Sequence, residues 1–274
     1  MAKVFLTGCD GYIGTLLAGV LMERGHEVTG CDTGFHRIGW LYNGVGALPR
    51  VLVRDIRRLE AADLAGHDAV LHLAELSNDP VGELAPHITY AINHQGSVRL
   101  ARLAREAGIT RFIYFSSCSV YGASADKAQD EQGDTQPLTA YAECKLLVER
   151  DVGAMAADDF SPTFLRNATA YGASPRQRFD LVVNNLSGLA WCQREIRMDS
   201  DGTPGARWCT CSTSARRPPA PSRRRARPSM PRRSTSAPTA RTTRCGTSPP
   251  SWARPFPGAP SLSASGAATS ATTR

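Results

Sequence analysis

Residues 205–274 contain no lysine, aspartate, glutamate, valine or isoleucine, and their single leucine is Leu262. They hold thirteen arginines, so the chain's net +7 less the tail's +13 leaves −6 for residues 1–204. Fifty-eight of the seventy tail residues are Arg, Pro, Ser, Thr or Ala. Such a segment buries too little apolar surface to offset its ordering entropy and is predicted to be disordered. Two unlike stretches of sequence meet near Pro204. Aromatic side chains to stack on bases are nearly absent around Arg216-Arg217, Arg223 to Arg225 and Arg232-Arg233. A nucleic-acid-binding arm is therefore not expected there.

Other absences narrow the class further. No run of eighteen apolar residues occurs, which excludes a membrane-spanning helix. The first apolar run stops at Thr7-Gly8, so no secretory signal is expected. Cys9, Cys31, Cys118, Cys144 and Cys192 fall singly, with no Cys-x-x-Cys pair and no histidine cluster beside them. That usage points to small buried thiols in a reducing, cytoplasmic compartment, with no metal site.

The tail's composition has a genetic reading. Arg, Pro, Ser, Thr and Ala are what a GC-rich coding strand yields out of frame. Trp208-Cys209-Thr210-Cys211-Ser212-Thr213-Ser214 has few codon choices. Regrouped from the third base of the Arg207 codon, it permits Val-Val-His-Val-Leu-Asp-Ile, an apolar strand-like run. Ala267 to Thr273 likewise permits Gly-Asp-Lys-Arg-Asn-Tyr. A frameshift close to Pro204 is expected.

Residues 1–204 alternate short apolar strands with amphipathic helices. Strands are predicted at Val4–Leu6, Glu27–Cys31, Val51–Val53, Ala69–His72, Phe112–Phe115 and Thr163–Leu165. Helices are predicted at Tyr12–Arg24, Ile88–Ala107, Tyr141–Met155 and Leu181–Cys192. Near-continuous apolar strands separated by helices imply an α/β doubly wound parallel sheet, a Rossmann arrangement covered on both faces. The predicted organisation is a dinucleotide-binding domain at 1–170, the start of a substrate-binding region at 171–204, and the tail at 205–274.

The first strand runs into Thr7-Gly8-Cys9-Asp10-Gly11-Tyr12-Ile13-Gly14 and then a helix. Gly8 permits the tight turn, Gly11 lets backbone N–H groups approach a pyrophosphate, and Gly14 lets helix and strand pack closely. The phosphate charge meets the N-terminal end of the helix, where Tyr12 and Ile13 lie. Asp32 ends the second strand eighteen residues after Gly14. A carboxylate there accepts hydrogen bonds from the adenosine ribose and repels a 2′-phosphate, which favours NAD over NADP. Arg37 is the nearby group that would accommodate that phosphate. Asp55 is placed to meet the adenine amino group with Ile56 beside the ring, although a simple turn aspartate reads nearly as well. Leu73-Ala74-Glu75 follows the fourth strand at the sheet's carboxyl edge, where ligands of such folds bind. Asn93 is a candidate hydrogen-bond bridge to the active-site strand, and His72 reads as a packed strand-end histidine.

The fifth strand ends in Ser116-Ser117-Cys118-Ser119-Val120-Tyr121-Gly122, and Tyr141-Ala142-Glu143-Cys144-Lys145 follows at a helix start. A Tyr and a Lys at i and i+4 share one helix face. The Lys145 ammonium, with a positive nicotinamide, is expected to lower the Tyr141 pKa from about 10. Tyr141 then takes a proton from a sugar hydroxyl near neutral pH, and Ser117 hydrogen-bonds the same oxygen.

On Gly8-x-x-Gly11-x-x-Gly14, Asp32, Asp55, Asn93, Ser117, Val120-Tyr121-Gly122, Tyr141-x-x-x-Lys145 and Asn184-Asn185-Leu186, residues 1–204 resemble the extended short-chain dehydrogenase/reductases, which include nucleotide-sugar epimerases and dehydratases. The resemblance implies a tightly held NAD, bound in part by Lys145, a Ser117/Tyr141/Lys145 catalytic set and a small C-terminal substrate domain. It also implies a nucleotide-sugar substrate touched by Ser117 and Asn185, and a homodimer paired through Ile88–Ala107 and Tyr141–Met155. Read without it, Asn184 and Asn185 could simply cap a helix. The 4,6-dehydratases place a carboxylate just after the serine, whereas this chain has Cys118 and Ser119. The resemblance therefore implies an epimerase acting through a transient keto sugar. A ketoreductase or dehydratase of the same family is the alternative, and a non-catalytic dinucleotide sensor is the alternative from another class. Two departures stand out. Arg166-Asn167-Ala168-Thr169 replaces the family's Arg-Tyr-Phe-Asn, and nothing in 205–274 matches the substrate domain.

Overall fold

The computed structural model describes residues 1–43, 46–77, 79–122 and 129–196, together with the backbone of 208–210 and 241–242. The elements run β1 (Lys3–Thr7), α1 (Gly14–Glu23), β2 (Glu27–Asp32), β3 (Arg50–Val53), α2 (Ala61–Leu64), β4 (Ala69–His72), α3 (Asp79–Leu84) and α4 (Pro86–Thr89). They continue with α5 (Ser97–Glu106), β5 (Arg111–Tyr114), α6 (Ala140–Gly153), β6 (Ser161–Phe164), β7 (Thr169–Tyr171), α7 (Val182–Gln193), β8 (Trp208–Thr210) and β9 (Arg241–Thr242).

The main sheet is parallel with the order β3-β2-β1-β4-β5-β6-β9. The order reverses between β1 and β4, and the loops after those two strands open onto the crevice that forms there. The strands alternate as pleating requires. Phe5, Val70, Phe112 and Tyr114 join Leu100, Ala104, Val148 and Val152 on one face. Val4, Leu6, Leu71 and Ile113 join Leu17, Ala18 and Leu21 on the other. Apolar side chains cover both faces of the inner strands, as the apolar runs required.

All six predicted strands form, within two residues at each end. The predicted helix at Ile88–Ala107 is less regular than its periodicity suggests: Tyr90–Gly96 adopts π-helical geometry between α4 and α5. A π-turn widens the helix and re-aims its side chains, and such turns gather at functional sites. Tyr90 donates to Glu143 at 2.5 Å and His94 lies 2.7 Å from Asp151, tying this segment to α6. Asn184 and Asn185 lie within α7, whose N-cap is Leu181, so neither caps that helix.

β8 pairs in parallel with β7, and β9 with β6. These two fragments are the described part of the tail. The predictions of disorder and of a frameshift for 205–274 otherwise lie outside the described residues. Among the described residues, no helix is long and apolar enough to cross a membrane.

Candidate functional site

The turn after β1 is built around its glycines. Gly8 has φ +73°, and a Cβ there would lie 2.8 Å from the backbone of Leu73 and Ala74. The close approach brings the end of β4 directly onto the glycine turn. A Cβ on Gly14 would sit 2.0 Å from the Gly8 carbonyl oxygen, which only glycine avoids. Ile13, the N-cap of α1, offers no side-chain cap, and the Thr15 N–H bonds the Gly11 carbonyl at 3.1 Å, which ties the glycine turn to the helix start. A glycine turn at a helix N-terminus is polarised for a phosphate, and the residues present fit a dinucleotide.

Asp32 stands at the end of β2, its carboxylate accepting from Asp10 N at 3.1 Å and Gly34 N at 3.0 Å. Arg37, the group that could have favoured a 2′-phosphate, is turned onto Asp10 at 3.2 Å and against the Trp40 ring. Asp10 carries a second buried carboxyl beside Asp32, and burial followed by the Asp32 charge raises its pKa. Cys9, Asp10 and Asp32 bring their ligand atoms within 4.8 Å of one another. Burial and then the two carboxylates push the Cys9 thiol upward.

Several candidate residues sit elsewhere than expected. The Asp55 carboxylate is taken by Arg57, through its backbone N–H at 2.8 Å and its guanidinium at 2.6 Å, instead of standing open for an adenine. That pairing is the main reason the Asp55 pKa is lowered. Ile56 is buried in the core against Gly96, because its short 3₁₀ turn aims it inward. Asn93, fully buried, bonds both backbone groups of Leu76 at 2.9 Å, so it clamps the loop after β4 and not the strand of Ser117. Tyr12 donates to Gly172 O at 2.7 Å and accepts from Asn184 at 3.0 Å, linking the glycine turn to the segment before α7. The exposed Asn185 donates to Phe179 O at 3.1 Å. His72 bonds Thr7 at 2.7 Å and Ser97 at 2.7 Å, and burial lowers its pKa to about 3. It is the packed neutral histidine anticipated from its place at a strand end.

Ser117, Tyr141 and Lys145 do converge. Thr139 caps α6, its side chain accepting from Ala142 N, which starts the helix just before Tyr141. One turn later the Lys145 ammonium lies 5.3 Å from the Tyr141 ring centroid and 4.4 Å from that of Tyr114. The Ser117 side chain acts on the Tyr141 phenol in the same direction as Lys145, lowering its pKa. Lys145 donates to Phe115 O at the end of β5, fixing the helix over the sheet edge.

Beside them lies a group that sequence reasoning left without a role. The side chain of Glu75 is buried, pairs with Lys145 and accepts from the Tyr114 hydroxyl at 2.5 Å. With it comes a correction to the expected acidity of Tyr141. Its pKa is raised, because burial dominates and Glu75 opposes the downward pull of Lys145. The Lys145 pKa is also raised: burial pulls it down, but Glu75 and Tyr141 outweigh that. A glutamate following an apolar strand was visible in the sequence, but its burial was not. Arg178 was missed as well. It bonds Ser77 at 3.0 Å and pairs with Asp180 at 2.6 Å, and its charge reaches Tyr141.

The sequence model of the NAD dependent epimerase/dehydratase family matches residues 4–209, three quarters of the chain. The chain belongs to that family. The match takes in the glycine turn, Asp32, Ser117, Tyr141 and Lys145, and it ends within β8. Similar curated proteins include a 3-beta-hydroxysteroid dehydrogenase of Mycolicibacterium neoaurum, 27% identical over 200 residues, with 68% of this chain and 52% of that protein covered. An uncharacterized UDP-glucose epimerase, YtcB of Bacillus subtilis (strain 168), is 30% identical over 213 residues, with 73% of this chain and 66% of that protein covered. The chain thus spans about half to two thirds of the length of these epimerase/dehydratase relatives. Among solved structures, MoeE5 in complex with UDP-glucuronic acid and NAD has 30% identity and a TM-score of 0.67, covering 78% of this chain and 70% of that one. The cofactor of the family is NAD, in agreement with the cradle and with the carboxylate at the end of β2.

Proposed function

We propose that this epimerase/dehydratase family member is a nucleotide-sugar epimerase that oxidises a sugar hydroxyl to a ketone and reduces it again from the opposite face. The observation that carries the reading is the convergence of Ser117, Tyr141 and Lys145 at the carboxyl edge of the sheet, beside a turn shaped for a dinucleotide. Bound NAD supplies the hydride acceptor and then the donor. Tyr141 takes the hydroxyl proton and later returns it. Ser117, whose side chain acts on the same phenol, orients the same sugar oxygen. Lys145 stabilises the phenolate electrostatically. Cys118 and Ser119 carry no carboxyl group, which supports epimerisation over water loss.

The substrate is read as a nucleotide sugar, as in the UDP-glucose and UDP-glucuronic acid relatives, with Asn185 toward its diphosphate and the protein acting as a homodimer through α5 and α6. The frameshift reading gains support from the family match, which ends five residues after Pro204. On this reading 171–204 begins a substrate region whose remainder is lost, and restoring the frame near Pro204 should raise activity. A clean in-frame gene sequence there would end that part of the proposal.

The test is to purify the chain, release and identify its dinucleotide, and assay a panel of UDP- and other nucleotide sugars for interconversion. Stoichiometric NAD with epimer formation and no net NADH is the expected result. Accumulating NADH or a dehydrated sugar would overturn it. Asp32→Asn keeps an acceptor for one of the Asp10 and Gly34 N–H groups and removes the charge. The preference for NAD over NADP should fall about tenfold or more, the worth of one charged hydrogen bond. An unchanged ratio in competitive binding would remove Asp32 from cofactor selection.

A further inference from the structure

Glu75 is a carboxylate with its side chain buried at the edge of the sheet, where an isolated charge is costly and persists only when matched. Its matches are the Lys145 ammonium and the Tyr114 hydroxyl. Lys145 is in turn the cation that faces the Tyr141 ring at 5.3 Å. Three elements meet at this cluster: the loop after β4 brings Glu75, β5 brings Tyr114, and α6 brings Tyr141 and Lys145. A lysine that touched only Tyr141 would act on the phenol with its full charge. Here an opposite charge is in contact with it.

We propose that Glu75 is a positioning residue for proton transfer at Tyr141: its carboxylate holds the Lys145 ammonium beside the phenol and offsets part of its field there. Tyr141 then stays a neutral phenol in the resting protein, and anything that draws Lys145 away from Glu75 or adds positive charge to the site releases its proton. Burial and Glu75 raise the Tyr141 pKa against the pull of Lys145, and burial raises that of Glu75 against the same lysine. The other ionisable groups facing the cluster are Glu149 and Cys144 on α6, His72 on β4 and Arg178 before α7. Arg166 occupies Glu149 at 2.6 Å, His72 and Cys144 stay neutral near pH 7, and Arg178 is paired with Asp180. Glu75 is the carboxylate in direct contact with Lys145.

The inference concerns the residue read above as the proton acceptor, but its test needs no turnover. Phenolate absorbance is followed against pH for the full chain, and the curve of Tyr141→Phe is subtracted to isolate Tyr141. Glu75→Gln keeps a hydrogen-bond acceptor for Tyr114 and removes the charge. It should lower the Tyr141 midpoint by about one to three pH units, the effect of an unneutralised cation at this range. Glu75→Asp should return it toward the wild-type value. The double variant Glu75→Gln/Lys145→Met replaces the pair with neutral groups of similar size, a change buried pairs commonly tolerate. Its midpoint should stay close to wild type. A single variant with an unmoved midpoint, or a double variant whose midpoint rises by a unit or more, overturns the proposal. If Glu75→Gln does not fold, the double variant decides alone. Epimerisation can fail with these shifts intact, or be observed without them, so the two readings stand or fall separately.

Discussion

Tyr141→Phe should lower epimerase turnover by about a thousandfold or more while leaving NAD in place. The size follows from the role: general acid–base catalysis contributes on the order of 10² to 10⁴, and this variant removes the only atom that differs. The ring remains, so the packing of Lys145 on its face and the start of α6 are preserved. Nothing in the glycine turn changes, and NAD released from the variant on denaturation should match that from the wild type. Ser117→Ala should cost less, because it removes a polar group that favours the phenolate and not the proton acceptor itself. Retention of full activity by the phenylalanine variant, measured at several pH values, would take Tyr141 out of the mechanism. The fold would then serve binding alone, as in the sensor alternative.

Gly14→Ala should strip the protein of its dinucleotide and lower its melting temperature. A methyl group there would lie 2.0 Å from the Gly8 carbonyl oxygen and 2.9 Å from Cys9 Cα. Both contacts are backbone, so no side chain can swing aside, and either α1 or the turn must move. Overpacking of this kind costs about 1–3 kcal/mol, and the displaced helix start is also the anion-binding end. Gly188→Ala in α7 is the natural control. Its nearest neighbour is a Phe179 ring carbon at 3.8 Å, and the substitution raises helix propensity, so stability should hold or gain slightly. NAD content and thermal unfolding of the two variants distinguish a specific clash from a general intolerance of glycine replacement. Equal behaviour would show that the close packing at Gly14 is unimportant.

Much of this architecture is written locally. The inner strands β1, β4 and β5 are short apolar runs, because a strand covered on both faces takes mostly apolar side chains, and periodicity reports that directly. The glycine spacing is equally local, since Gly8, Gly11 and Gly14 lie within one turn and its helix and Gly14 is required by the Gly8 carbonyl. The close approach at Gly8, however, comes from Leu73 and Ala74 after β4. Tyr141 and Lys145 are one helical turn apart, so their shared face follows from the spacing alone. The same logic failed for Asp55, where the competing partner was Arg57, two residues along. It failed again at Tyr90–Gly96, where no pattern distinguishes a π-turn from continuing α-helix.

The sequence by itself therefore determined the parallel α/β sheet, the dinucleotide cradle and the Tyr–Lys pair, since each depends on residues near one another in the chain. Only the tertiary structure decided the electrostatics. Glu75 and Lys145 lie seventy residues apart, and whether that lysine acts as a bare cation or half of an ion pair depends on which strand ends meet. Arg37 turning to Asp10, and Tyr12 bonding Asn184 across 172 residues, are of the same kind. The field at a buried atom is a sum over neighbours in space, and chain order does not carry that sum.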